Sequence, residues 1–123
     1  MALIPTAGEL RDRVRVETRQ SSSNIGGVVR SEWTATGVVR WARVRERVGG
    51  ETALAGRLTS RQAVEICVRS DSATRDLTSD HRLVGEAGPH AGAVWSIRSV
   101  TRLGDTARWL LVTCEAGGLD DGD

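Results

Sequence analysis

The chain has 123 residues, 39% hydrophobic and 27% charged, and its 17 basic and 16 acidic side chains leave a formal net charge of +1. That length supports one domain with a real core, and the balance excludes a disordered chain and argues against one that lives by gripping nucleic acid. No apolar run approaches the ~20 residues that span a bilayer, and the opening MALIPTAGEL lacks a secretory signal pattern, so the expected compartment is cytoplasmic.

In chain order, Leu10 to Glu17 alternates with a period of two, Val14 and Val16 on one face and Arg11, Arg13, Arg15 and Glu17 on the other. That is the pattern of a half-buried strand. Gln20 to Gly27 is rich in Ser, Asn and Gly and predicts a loop or long hairpin tip. Val28 to Thr34 and Val38 to Arg45 predict a second and third strand, with Gly37 breaking between them. The Ala, Leu and Glu content of Gly49 to Arg57 suits one or two turns of helix.

Gln62 to Arg69 is the clearest core strand, with Val64, Ile66 and Val68 sharing a face. Ser70 to Asp80 reads as a polar loop, Arg82 to Val84 as a short strand, and GEAGPHAG after it as a turn. Val94 to Thr101 and Ala107 to Glu115 predict a closing hairpin around Gly104-Asp105. Six or seven short strands, one short helix and long loops predict a mainly β fold, a small β-barrel or sandwich. Residues 1–116 form that single domain, and the acidic, Gly-rich tail 117–123 has little to pack.

Chemistry is hard to find. His81 and His90 lie in or beside turns, and no GxSxG or comparable nucleophile context accompanies them. Asp71, Asp76, Asp80 and His81 match no EF-hand or HExxH spacing and read as loop residues. Cys67 and Cys114 sit in apolar strand-like runs and read as small buried thiols. The glycine pairs fit no phosphate-cradling motif. The expectation is no catalytic, metal or cofactor site.

Two compositional features stand out. All basic residues are Arg, and four Trp (Trp33, Trp41, Trp95, Trp109) are the only Phe, Tyr or Trp residues. Arg11, Arg13, Arg15 and Arg19 stripe the first strand, and Arg43, Arg45 and Arg47 continue the side carrying Trp41. Arg and Trp are both enriched as anchors in protein interfaces, and an assembly surface is the preferred reading. A solvated strand face comes next. An Arg/Trp clamp on single-stranded nucleic acid, as in oligonucleotide-binding barrels, is the third.

The order of the pieces says more than any one of them. Gly8 to Val14 (GELRDRV) is followed by a strand ending at Trp33 (SEW), by Val39 to Val44 (VRWARV), and by Gly49 to Glu51 (GGE). Then come Ala63 to Arg69 (AVEICVR), Asp80 to Val84 (DHRLV), Val94 to Val100 (VWSIRSV) and Arg108 to Glu115 (RWLLVTCE). From Gly8 to Glu115 this resembles the head–tail joining, or head-closure, proteins of tailed bacteriophages and phage-derived gene transfer particles. GEAGPHAG is longer than that family's usual tight turn before the W-S-I strand.

The resemblance implies a structural β-barrel subunit of the virion, assembled in the host cytoplasm. Six or twelve copies would form a ring below the portal or adaptor ring. That ring would close the head, retain DNA that passes without sequence-specific binding, and dock a tail terminator or tail tube. No membrane partner is implied. The candidate assembly surface is Arg11, Arg13, Arg15, Trp41, Arg43, Arg45 and Arg47, with the loops Gln20 to Gly27 and Ser70 to Asp80.

Overall fold

The computed structural model describes residues 4–23, 29–46, 62–104 and 107–116. Their regular elements are six strands, β1 (Asp12–Ser23), β2 (Val29–Glu46), β3 (Gln62–Arg69), β4 (His81–Ala87), β5 (Val94–Leu103) and β6 (Trp109–Ala116), with 3-10 turns at Ala7–Glu9 and Thr74–Asp76. All pairings are antiparallel, and the order β1-β2-β3-β6-β5-β4 closes on itself as a barrel. The β-barrel expectation is borne out. No helix of the described residues is long and apolar enough to cross a membrane.

Period-two patterning fills the barrel. Val14 and Val16 of β1, Val64, Ile66 and Val68 of β3, and Val112 and Cys114 of β6 all point inward, with Leu83, Trp95 and Ile97. Sequence and structure agree on β3 residue for residue.

Two expected strands prove to be one. β2 runs unbroken from Val29 to Glu46, and Gly37, with φ of +90°, lies inside it. Opposite it the β1 register jumps between Arg15, facing Val39, and Glu17, facing Ala35. Gly37 thus serves a bulge, where a positive φ accommodates the extra residues and bends the strand. The Thr36 hydroxyl donates to the Val16 carbonyl at 3.0 Å and accepts the Val38 N–H at 3.2 Å, tying the bulge to its partner.

Of the two readings of Gln20 to Gly27, the long hairpin is the one found: Gln20 to Ser23 belong to β1 and pair with Val29 to Glu32, and 24–28 lie outside the described residues. Ser70 to Asp80 is a loop, as expected, and its backbone is fixed by its own side chains. Asp71 Oδ1 accepts the Ala73 and Thr74 N–H groups at 2.9 Å, and the buried Thr74 hydroxyl donates to the Arg69 carbonyl at 2.7 Å. The expected helix over Gly49 to Arg57 and the tail 117–123 lie outside the described residues.

Asp71 also accepts the Arg40 Nε–H at 2.9 Å. That bond, with the turn amides, outweighs desolvation and holds the carboxyl down at about 2, against an ordinary 3.8. A depressed carboxyl contributes stability above its unfolded pKa and loses it as pH falls through the folded one. Asp71→Asn is therefore expected to flatten the stability curve between about pH 4 and about pH 2. Both partners are about a third exposed, so the pair contributes ~1 kcal/mol or less. Acid titrations of both proteins at fixed urea check this. Parallel curves across that window would contradict it.

Candidate assembly surface

The outer face of the barrel is built from cross-strand Arg–Trp neighbours. Arg13 faces Trp41 and Arg19 faces Trp33 across β1 and β2, and Arg69 faces Trp109 across β3 and β6. Each guanidinium lies over its partner's ring, at 5.3, 4.9 and 4.9 Å from the centroid, and Arg82 lies over Trp33 at 4.6 Å. Such stacking satisfies the ring's negative face with a weakly hydrated cation. Trp95 points into the barrel, 1% exposed.

A charge cluster crosses the same face. Glu17, buried despite its outward position, accepts Arg15 Nε at 2.9 Å and Arg82 Nε at 2.8 Å. Burial works to raise its carboxyl, but the two guanidinium bonds prevail and hold it below the usual range. Arg15 also approaches Glu86, at 3.9 Å.

The segment before β1 straps part of the outer face. Pro5 is buried, Leu10 packs on Cys67, Leu103 and Trp109, and Glu9 reaches Arg43 at 3.6 Å. This second small core sits outside the barrel, on the opposite side of the sheet from Val64, Ile66 and Val68. Cys67 is buried here and its thiol is pushed up to about 11 by desolvation, while Cys114, inside, is pushed up to about 12. Native protein is therefore expected to resist alkylation. Burial of both sulfurs and their raised pKa act in the same direction, and labelling in urea should outpace native labelling by more than about tenfold. Prompt native labelling of either thiol would contradict the placement.

The structure sorts the expected surface residues. Arg11, Arg13, Trp41 and Arg45 are exposed and Arg15 is half-buried, but Arg43 is 8% exposed beneath the strap. Arg43 thus holds the N-terminal segment down and presents little to a partner. Arg47 lies outside the described residues. Ile4 and Trp41, at 49% and 50%, are the exposed large apolar side chains of the described residues.

Sequence reasoning missed one buried polar joint. Asp12, 3% exposed, accepts the His90 N–H at 2.8 Å and stands 2.9 Å from His90 Nδ1. The pair fastens the loop after β4 to the start of β1. His90 is thus a structural fastener; only its partner's chemistry, 78 residues away, reveals it. His81 is likewise engaged, its Nδ1 accepting the Thr78 N–H at 3.1 Å. Among the described residues no three His, Cys, Asp or Glu side chains gather as a metal site.

Known proteins align with this barrel along most of its length. A family model described as phage head completion protein matches residues 5–117. The solution structure of protein SF1141 from Shigella flexneri 2a is similar, with a TM-score of 0.66 and 24% identity, covering 94% of this chain and 99% of that one. A chain of the virion of a native gene transfer agent particle is similar with a TM-score of 0.57 and 21% identity, covering 84% of this chain and 90% of that one. These two likenesses are of fold. A comparison with curated proteins finds no match.

Proposed function

This chain belongs to the phage head completion protein family, and on that premise we propose that it is a structural subunit of a virion or phage-like particle that forms a ring below the portal. The ring closes the DNA-filled head, retains the genome and offers the tail a docking face. The observation that carries this reading is the family match, which spans the whole barrel and the strap before it.

The physics of the barrel supports it. A closed barrel has no edge strand to offer, so association must use side-chain faces and loops. Its outer face is pre-stiffened by Arg–Trp stacks and by Glu17, which lowers the entropy lost on docking. Identical subunits joined head to tail close as a ring when the rotation per copy allows; six or twelve copies follow from the resemblance. A net charge of +1 suits a conduit that lets DNA slide.

The alternative, an oligonucleotide-binding barrel using an Arg/Trp face, fits less well. Base stacking needs a row of open aromatic faces; Trp41, on which that reading rests, is half exposed but has Arg13 over its ring at 5.3 Å, and Trp33 and Trp109 are covered by guanidinium groups as well.

Mass measurement of the purified chain, alone and mixed with portal and tail-end proteins of the same particle, tests the reading. A ring, formed alone or on a partner, is the expected result, and monomer under every condition refutes it. Retention on single-stranded DNA at low salt, lost with added salt, would favour the alternative.

A further inference from the structure

A cleft of about 340 Å³ opens beside Trp41, floored by Ala7, Leu10 and the indole and flanked by Arg40, Arg69 and Asp71. Trp41, at its apolar part, is half exposed. The rim of the cleft is cationic: the Asp71 carboxylate is taken up by Arg40 and the turn amides. Arg13 and Arg69 have aromatic rings but no acidic partner among the described residues. Such a cleft fits a short segment carrying one branched apolar side chain beside carboxylates.

The chain itself holds such a segment. After β6 comes Gly117 to Asp123, GGLDDGD, a single Leu followed by acids and flanked by glycines. We propose that the cleft receives Leu119–Asp121 of a neighbouring copy, Leu119 against Trp41 and Leu10, and Asp120 and Asp121 against Arg69 and Arg13.

Reach decides between copies. The tail leaves from Ala116, which pairs with Gln62, whereas the cleft lies at Arg69, which pairs with Trp109 at the other end of β3 and β6. Seven strand steps at ~3.3 Å separate the two levels by about 23 Å. Leu119, three residues past Ala116, reaches at most ~11 Å, and Asp121 at most ~18 Å. A chain cannot fill its own cleft, so donor and acceptor are different copies. One site and one tail per copy, at opposite ends of β6, make a head-to-tail contact that propagates around a ring. The inference rests on the ring reading and adds to it which surface meets which segment.

Cysteine cross-linking of the full chain tests it, since Cys67 and Cys114 are buried. Ala7→Cys places a thiol at the cleft and Gly122→Cys one on the tail, with Ser99→Cys, exposed on β5, as the control site. Mixed Ala7→Cys and Gly122→Cys chains should cross-link at least about tenfold faster than the control pair, given the effective concentration that docking supplies. Leu119→Ser or Arg69→Glu should remove that advantage, and Asp120→Arg with Asp121→Arg should restore it on Arg69→Glu. A rate equal to the control, insensitivity to both variants, bridging within one doubly substituted chain, or capture only by an added portal or tail protein overturns the inference. Rings that form with cross-linking at the control rate leave the ring reading standing and this inference refuted. Fast, variant-sensitive cross-linking of a chain that never forms rings does the reverse.

Discussion

Trp95→Ala is expected to destabilise the chain by about 3–5 kcal/mol, the cost of emptying a large aromatic site in a packed core. Trp95 is 1% exposed, faces Leu83 across β4 and Ala116 across β6, and has the His90 ring tilted against it at 6.1 Å. Closure makes collapse costly, because every wall is a strand hydrogen-bonded on both sides. Small domains have only ~5–15 kcal/mol in total, so this variant should sit near its unfolding midpoint in mild urea. Trp41→Ala, at a half-exposed site, should cost under ~1 kcal/mol. Urea unfolding of the three proteins measures both. A loss below ~1.5 kcal/mol for Trp95→Ala would mean that the indole does not fill the barrel.

Asp12→Ala is the second large effect, at about 2–3 kcal/mol, from two lost hydrogen bonds and a half-buried His90 left without its acceptor. The damage should be local at first. The loop after β4 folds back through Gly92 N–H to the Gly85 carbonyl and Gly85 N–H to the Ala93 carbonyl, both at 2.8 Å. Gly85 itself has no room for a Cβ, which would run into the His90 carbonyl. Asp12→Asn keeps an acceptor for the His90 N–H and offers an amide donor to Nδ1, so it should cost under ~1 kcal/mol. Hydrogen exchange at the His90 amide, with urea unfolding, separates the cases. Equal losses in Asp12→Asn and Asp12→Ala would show that charge, not hydrogen bonding, holds the loop.

Much of the barrel was legible in one dimension, since alternation at Val64, Ile66 and Val68, or at Val14 and Val16, encodes a buried face. Ambiguities fell where a local signal has two structural outcomes. Glycine inside a β pattern marks either a break or a bulge, and at Gly37 the cross-strand partner decides. A Ser-rich stretch reads equally as a loop or a hairpin tip, and at Gln20–Ser23 the β2 ladder alongside makes it the hairpin. Candidate surface residues were legible as a stripe but not as stacks. Arg13 over Trp41 and Arg69 over Trp109 depend on register between strands distant in sequence. Arg43 shares the stripe of Trp41, but the strap that covers it folds back from Glu9.

The strand order has a consequence for a chain emerging from the ribosome. β3 and β4 follow one another in sequence, yet neither pairs with the other; β5 and β6 fill the space between them. Until Trp109–Ala116 has been made, β3 carries an open edge beside Val64, Ile66 and Val68, and the curl of sheet has nothing to close on. Nascent chains at that stage display the unpaired, apolar ribbon that invites sticking to their neighbours. The sheet is secured by its last strand, and folding has to wait for it.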